Sequence, residues 1–472
     1  MYVANGVHDV VTGRQRCESQ SLYASLRYFT LRNGKRAAVL YPFHGILLRG
    51  ILVSERCDRI YQVNLWDGFG GSEVYTRFLS IALQTLGYRT TVFVNAKARH
   101  WDDLDFGAAT LVPIADPWHI FPHLPTSGAL ILTNFPLRGE VGALLKRDHR
   151  VVTFAHQPLY DKDLRPYDGS HLVVANSQHV LRSVAWAGLP CYPDPLYGVA
   201  DVARLRREGP EAVFRNSHYA WDRHKVRDTL LSWLEPAWRR SAKPERFEQR
   251  DGLTLGIVSR LTTIKQFPKM FHVLAPIIAR HRNVWIEIFG SGSYASVRDL
   301  KESLRSVRDR VRFWGQQKDV RSVYTQLDFL LSGLPEREGM GRNVIEAQLC
   351  GTPVLAVNAP PFTETVVDGV TGYLFADPRR DRGRDFEQVL ARIAQGGLRP
   401  DPTDALEHLY RFTQPAFNTC IERLLHRIDR RAAPAEVATV REEPRSRDDR
   451  TVIDALSIRR LAAAHANWRE GI

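Results

Sequence analysis

Two glutamates separated by seven residues mark the stretch of sequence best suited to chemistry. Glu338 follows the apolar run Phe329–Leu331, which predicts a buried strand, and Glu346 falls within an amphipathic helix that stops at Gly351. If residues 338–346 were all helical, the two carboxylates would diverge by about 80° around the helix axis. A loop followed by a helix lets them converge on one ligand.

The residues between these glutamates are suited to an anion. Gly339 and Gly341 let the backbone approach a ligand closely, and a helix beginning near Gly341 or Arg342 would direct unpaired N–H groups at it. One carboxylate can accept hydrogen bonds from sugar hydroxyls and the other from a ribose, while the amides between them hold a diphosphate. The pattern favours a nucleotide-sugar cradle over the alternative, a solvated acidic loop before an ordinary helix.

The first half of the chain predicts a parallel α/β domain. A β-rich run at 59–66 leads into a loop with Gly70 and Gly71 and then into a helical pattern, which is how doubly wound domains begin. The two glycines either bring amides against a phosphate or serve only a tight turn. Further strands are predicted at 90–94, 109–114, 129–133, 150–155 and 172–175. His156 follows the 150–155 strand at its carboxyl end, where such sheets bind ligands, and a packing role is equally open.

A second series of strands, starting at Leu253, predicts a second Rossmann-like domain. Its other strands are expected at 284–289, 311–314, 329–331, 353–357 and 372–375. Arg260 and Lys265 lie just beyond the end of the first strand of this series. They are candidates to neutralise a diphosphate, with ordinary surface charge as the alternative.

Four regions are expected along the chain. They are a weakly structured N-terminal extension, an N-terminal Rossmann-like domain on the acceptor side, a C-terminal Rossmann-like domain that binds the nucleotide sugar, and a charged tail that is largely disordered apart from a short helix. Their expected limits are 1–58, 59–245, 252–430 and 431–472.

Composition limits the classes of protein. The chain has 472 residues, of which 44% are hydrophobic and 25% charged, and its formal charge is +13. We expect a cytoplasmic protein, because the sequence shows no bilayer-length apolar run and no signal-like N-terminus. The positive charge indicates an anionic partner, which leaves open nucleic acid, a membrane surface or an acidic substrate, unless the charge serves only solubility. The Asp-x-Asp triplets at 103–105 and 161–163 are weak evidence for a metal site, and none is predicted.

Several motifs together resemble one enzyme family, over residues 59 to 430. They are Gly70-Gly71-Ser72-Glu73, Ser259-Arg260-Leu261 with Lys265, Gly290-Ser291-Gly292, Glu338-Gly339-Met340-Gly341, Glu346 to Pro353 and Asp368 to Gly372. This pattern is similar to the retaining GT-B glycosyltransferases of family four, the group 1 glycosyl transferases. The resemblance implies two Rossmann-like domains facing each other across a cleft. It also implies metal-independent transfer of a hexose from a UDP- or GDP-sugar to a glycan or lipid-linked acceptor.

The same resemblance assigns roles to individual residues. It implies that Glu338 contacts the transferred sugar and that His156 lies beside that sugar. It also implies that Arg260 and Lys265 bind the diphosphate and that Glu346 binds the ribose. The remaining donor contacts are backbone amides, at Gly70, Gly71, Met340, Gly341, Arg342, Asn343 and Val344. Relatives of this kind build cell-envelope polysaccharides and glycolipids, which implies peripheral association with the inner face of a membrane.

Other functions remain open from the sequence. A GT-B isomerase or phosphorylase would share the two-domain plan, although the spacing of the glutamates argues against it. A non-catalytic basic protein that binds nucleic acid or a membrane is a different class. Nucleic acid is not expected as a partner, because no nucleic-acid-binding module is visible.

Overall fold

The computed structural model describes residues 26–30, 36–40, 59–200, 212–220, 226–240, 245–396 and 399–432. Within residues 1–58 this includes two strands, β1 (Leu26–Thr30) and β2 (Arg36–Leu40), which pair antiparallel. The rest of the expected N-terminal extension lies outside the described residues. So does the expected tail beyond Ala432, with its short helix.

The first domain contains a six-stranded parallel sheet in the order β5-β4-β3-β6-β7-β8. Its strands are β3 (Arg59–Asn64), β4 (Arg89–Asn95), β5 (Thr110–Ile114), β6 (Leu130–Thr133), β7 (Arg150–Ala155) and β8 (Leu172–Ala175). Successive side chains of β3 enter different cores, with Ile60 in one and Tyr61 in the other. Because both faces of this sheet are covered, most positions of its strands are buried, and the apolar residues that fill many of them are why the sequence predicts the strands well.

Helices of the first domain cover this sheet. They are α1 (Gly71–Thr85), α2 (Gly139–Asp148) and α3 (Gln178–Trp186). Val74, Phe78 and Leu79 of α1 recur at helical spacing and are buried in the same core as Ile60. The packing of this face fixes the start of α1, and with it Gly70 and Gly71, at the carboxyl end of β3.

The second domain repeats this architecture in the order β11-β10-β9-β12-β13-β14, again all parallel. Its strands are β9 (Leu253–Val258), β10 (Val284–Phe289), β11 (Val311–Gly315), β12 (Phe329–Leu331), β13 (Val354–Val357) and β14 (Gly372–Phe375). Its helices, with the one that precedes β9, are α4 (Val226–Arg240), α5 (Phe267–Arg280), α6 (Tyr294–Ser303), α7 (Val320–Tyr324), α8 (Arg342–Leu349), α9 (Phe362–Thr365), α10 (Pro378–Asp381) and α11 (Arg384–Ala394). The predicted α/β class with two Rossmann-like domains is confirmed.

The last two helices are α12 (Leu406–Tyr410) and α13 (Gln414–Ala432), and short 3-10 helices occupy Arg99–Trp101, Pro117–His123, Arg165–Tyr167, Arg305–Arg310 and Pro402–Ala405. The expected limits group α13 with the second domain. In the structure, Phe417, Ile421 and Leu424 of α13 are buried in the core of the first domain beside α1. The end of the chain therefore returns to the first sheet and ties the two domains together.

The segment before α4 also departs from the expected limits, which place it in the first domain. The amide of Asn216 donates to the carbonyl of Trp314, and the amide of Ala220 donates to that of Gly292. Residues 212–220 thus pack on the second domain, beside the carboxyl ends of β10 and β11.

Both sheets reverse their strand order at one point, between β3 and β6 in the first and between β9 and β12 in the second. The loops that follow such neighbouring strands diverge, which opens a crevice at the carboxyl edge where parallel sheets bind ligands. The sequence-predicted site residues follow β3, β7, β9 and β12, so the topology brings them to these two edges.

Candidate active site

The crevice of the second domain brings Lys265 and Glu338 together. Lys265 follows β9, Glu338 follows β12, and the Lys265 Nζ lies 2.5 Å from the Glu338 Oε2. Both side chains are largely buried, so this ion pair is shielded from solvent. The sequence predicted both residues as site residues without predicting that they touch.

The second oxygen of Glu338 is engaged by the backbone. Its Oε1 accepts a hydrogen bond of 3.1 Å from the amide of Gly341. Burial alone raises the pKa of Glu338, but the charge and hydrogen bond of Lys265 and the amides of Gly341 and Gly339 outweigh it, so the pKa falls below its usual value. Glu338 is therefore an anion at neutral pH, suited to accepting hydrogen bonds from hydroxyls.

Helix α8 begins where the sequence predicted, and its start faces the same crevice. Gly341 is its N-cap residue, with φ of 78°, a left-handed conformation that favours glycine. The amide of Val344 already donates to the Gly341 carbonyl at 2.9 Å. The amides of Arg342 and Asn343 occupy the first turn, where an α-helix offers no acceptor of its own, so they are the donors best placed for an anion.

Glu346 lies one turn into α8 and is held by two partners. Its Oε1 is 2.6 Å from Arg342 Nη2, and its Oε2 accepts a hydrogen bond of 3.0 Å from the Tyr324 hydroxyl. Burial, followed by the nearby charge of Glu346, raises the pKa of Tyr324 well above its usual value, so the hydroxyl remains a donor. Each carboxylate oxygen keeps a further lone pair, which leaves Glu346 able to accept from a ligand.

The glycine loop of the first domain lies against Arg260 of the second. A methyl group on Gly70 would lie 2.7 Å from the Arg260 Nη2, whereas a methyl group on Gly71 would have no atom within 4 Å. The α1 helix starts at Gly71 without a side-chain cap. Amides at the start of α1 and the exposed Arg260 guanidinium therefore border one space from opposite domains.

His156 is held in a buried polar network at the carboxyl edge of the first sheet. Its Nε2 lies 2.9 Å from the Asn134 Oδ1, and the Asn134 Nδ2 donates to Thr76 at 2.6 Å. Asn64 also donates to Thr76, at 2.9 Å. Burial lowers the pKa of His156 to about 4, so the imidazole is neutral near pH 7. With Nε2 donating to Asn134, Nδ1 is the acceptor of the ring.

The loop between Glu338 and α8 touches the first domain directly. A methyl group on Gly339 would lie 1.9 Å from the His156 carbonyl oxygen, and the carbonyl of Gly339 accepts a hydrogen bond of 2.5 Å from Ser177. Met340 is buried, and its sulfur accepts from the Gly198 amide at 3.1 Å. The two domains therefore meet across this loop, and His156 borders the crevice that contains Glu338.

The structure brings Lys265, Glu338 and the start of α8 together, with Arg260 and His156 at the borders of the same crevice. The side chains of Met340 and Val344 are buried, so only their backbone could contact a ligand. The amide of Val344, one of the predicted donors, is already bonded to the Gly341 carbonyl. Among the described residues, no cluster of three or more histidines, cysteines or carboxylates has the proximity to hold a metal ion.

Sequence reasoning missed several residues that support the site. Asn64 and Asn134 stand at the ends of β3 and β6, and their position at the carboxyl edge was a usable signal. Glu364 carried no such signal. It accepts from the Gln178 amide at 2.8 Å and from the Tyr197 hydroxyl at 3.0 Å, bridging α9 to the start of α3.

Comparison with known proteins identifies a matching family model and a shared fold. The family model "Glycosyl transferases group 1" matches residues 239–390, which contain Arg260, Lys265 and the 338–346 segment. The structure of HepE from Anabaena, solved with UDP, aligns with 78% of this chain and 100% of its own, at 18% identity and a TM-score of 0.59. The chain has the GT-B fold.

Two curated relatives match shorter stretches. N-acetyl-alpha-D-glucosaminyl L-malate synthase of Bacillus anthracis is 26% identical over 117 residues, covering 25% of this chain and 30% of that protein. D-inositol 3-phosphate glycosyltransferase of Saccharomonospora viridis is 28% identical over 200 residues, covering 39% of this chain and 44% of that protein. The chain thus spans less than half the length of these two relatives.

Proposed function

We propose that this GT-B protein is a group 1 glycosyltransferase, of the retaining family-four kind, that moves a hexose from a UDP- or GDP-sugar to a glycan or lipid-linked acceptor. The observation that carries the proposal is the Lys265–Glu338 pair beside the start of α8, with Arg260 and the Gly70 loop on the other side of the same space. Two cations, two helix starts and an ionised carboxylate suit a ligand with a diphosphate at one end and a hydroxylated sugar at the other.

The proposed chemistry follows from where charge develops. When the anomeric C–O bond breaks, its electron pair goes to the diphosphate oxygen, and the sugar becomes positively charged. Arg260, Lys265 and the amides of Arg342 and Asn343 would stabilise the departing anion. The acceptor hydroxyl would attack on the face that the diphosphate leaves, and its proton would pass to a phosphate oxygen, which retains the anomeric configuration.

Two residues would orient the sugar without forming a bond to it. Glu338 would accept hydrogen bonds from sugar hydroxyls, because its lowered pKa keeps it ionised. His156, kept neutral by burial, would offer Nδ1 to a hydroxyl while Asn134 holds the ring. Glu346 would hold the ribose, and a metal ion would be unnecessary because Arg260 and Lys265 supply the positive charge.

The acceptor is proposed to be a cell-envelope polysaccharide or glycolipid precursor, which would bring the protein to the inner face of a membrane. The net charge of +13 is compatible with an anionic surface. None of the described helices has the length and apolarity to cross a bilayer.

A donor screen tests the proposal. Purified protein would be heated with UDP-glucose, UDP-galactose, UDP-N-acetylglucosamine and GDP-mannose, and the shift in Tm would be compared in wild type, Glu346→Ala and Glu387→Ala. Glu387 pairs with Arg280 on the surface and serves as the matched control. We expect one donor class to raise Tm in wild type and control, with most of that shift lost in Glu346→Ala.

The donor identified in this screen is then used to test the reaction. Slow hydrolysis of that donor by the protein in EDTA would be monitored by proton NMR, and the released sugar should retain the α or β configuration of the donor. A Tm shift of equal size in Glu346→Ala contradicts the ribose assignment, and inversion contradicts retention. Conversion of the donor into an isomer without an acceptor would instead favour a GT-B isomerase.

A further inference from the structure

Helix α4 exposes an apolar face to solvent. Val226, Leu230, Trp233 and Leu234 are 79%, 55%, 76% and 48% exposed. At 3.6 residues per turn these four positions fall within about 100° of the helix circumference. Isolated apolar side chains are common on protein surfaces, but a continuous stripe of this kind marks an interaction surface. We call these four residues the α4 face.

The opposite side of α4 is attached to the second domain. Glu235, about 150° around the helix from the centre of the α4 face, accepts a hydrogen bond from the Ser217 hydroxyl. The carbonyl of Ser217 in turn accepts from the Gln316 amide, just beyond β11. The helix is therefore fixed with its polar side inward and its apolar face outward, the reverse of a helix that contributes to a core.

The charge of the surrounding sequence identifies the kind of partner. Residues 221–246 contain seven arginines and lysines against four aspartates and glutamates, within a chain whose formal charge is +13. An apolar stripe that includes an exposed tryptophan, in a basic segment, has the composition of helices that lie in the interface of anionic membranes. A helix of 15 residues is about 22 Å long, too short to span a bilayer of about 30 Å.

We propose that the α4 face docks on the surface of an anionic phospholipid bilayer, with Leu230, Trp233 and Leu234 entering the headgroup region. Because Ser217 anchors α4 near the carboxyl ends of β10 and β11, docking holds the ligand-binding edge of the second sheet beside the lipid. The inference rests on the proposed function in one respect, which is that the membrane would carry the acceptor of the transferase. Vesicle binding itself does not depend on the transferase being correct.

The test is co-sedimentation of the full-length chain with vesicles of phosphatidylcholine alone or mixed equally with phosphatidylglycerol. We expect binding to the anionic vesicles that weakens as salt is raised, and about a tenfold lower partition coefficient for Trp233→Ser. Leu230→Ser should weaken binding in the same direction. Trp186→Ser is the matched control, because Trp186 is 65% exposed on α3, outside this helix, and its loss should leave binding unchanged.

Several results would overturn the proposal. One is that the wild-type protein fails to bind anionic vesicles or binds neutral vesicles equally well. Another is that Trp233→Ser and Leu230→Ser both bind anionic vesicles as strongly as the wild type. Equal loss in Trp186→Ser would show unspecific adsorption. Sedimentation velocity tests the alternative that the α4 face binds a second copy of the chain. That alternative would be shown by a wild-type protein that is a dimer and does not bind vesicles, together with a Trp233→Ser variant that is a monomer. Circular dichroism would verify that each variant is folded, which we expect because the altered side chains are exposed.

Discussion

Lys265 reaches across the crevice of the second sheet to Glu338, with 2.5 Å between the Nζ and the Oε2. The two residues are separated by 73 positions, yet they follow the neighbouring strands β9 and β12. The carboxylate that would hold the sugar is thus kept ionised by a cation that would also receive the diphosphate. One ion pair serves both halves of the proposed donor.

Replacing Lys265 by methionine should lower kcat/KM by about 10² to 10³, because a preorganised positive charge at the leaving group is lost. It should also change the pH profile. Without Lys265, burial is the main influence left on Glu338 and raises its pKa, so activity should increase with pH where wild-type activity is flat. Steady-state kinetics between pH 5 and 8 would measure both effects. The control is Lys269→Met, which removes a lysine that donates a hydrogen bond to Gln266. A kcat/KM within twofold of wild type in Lys265→Met would contradict the assignment.

Gly339→Ala should disturb the meeting of the two domains. The added methyl group would lie 1.9 Å from the His156 carbonyl oxygen, so the loop must move away from the first domain and the hydrogen bond from Ser177 must lengthen. Displacement of about 1 Å near the reacting groups can cost about 10² in rate. Gly188→Ala is a demanding control, because Gly188 has φ of 67° but no neighbour that the methyl group would meet. If both variants lost activity equally, a general loss of stability would explain the effect and the domain contact would not.

The strands were predictable because both sheets are covered on both faces, which leaves runs such as Leu130–Thr133 without polar interruption. The Arg342–Glu346 pair was also within reach, since an i,i+4 spacing on a predicted helix brings the two side chains together. Contacts between distant segments were not. Helical periodicity predicts α13 but does not state which core its apolar face joins, and nothing local to Tyr324 points to Glu346.

His156 should affect stability through its proton. Its folded pKa of about 4 lies below the value of about 6.5 expected in the unfolded chain, so the unfolded state binds the proton first as pH falls. The contribution of the neutral imidazole is therefore complete above about pH 6.5 and is lost towards pH 4, by up to roughly 3 kcal/mol. Chemical denaturation of wild type and His156→Gln from pH 4 to 7 would show it as a difference in unfolding free energy that shrinks on acidification. The exposed His272 offers the control His272→Gln, which should follow the wild-type profile, and a constant difference for His156→Gln would contradict the burial argument.

Tyr324→Phe tests whether Glu346 must be held in place to bind the donor. Tyr324 is a positioning residue, since its hydroxyl donates to the Glu346 Oε2 and the side chain is fully buried. Without that hydroxyl, Glu346 keeps Arg342 but loses one of the two contacts that orient it, so we expect KM for the nucleotide sugar to rise about three- to tenfold with kcat nearly unchanged. Tyr75→Phe also removes a buried hydroxyl, one that donates to the Leu196 carbonyl, and should leave donor KM unaltered. A contact that is equally strong before and during bond cleavage affects KM alone. A lower kcat with an unchanged KM in Tyr324→Phe would therefore contradict the ribose assignment and show that Glu346 acts in the chemical step.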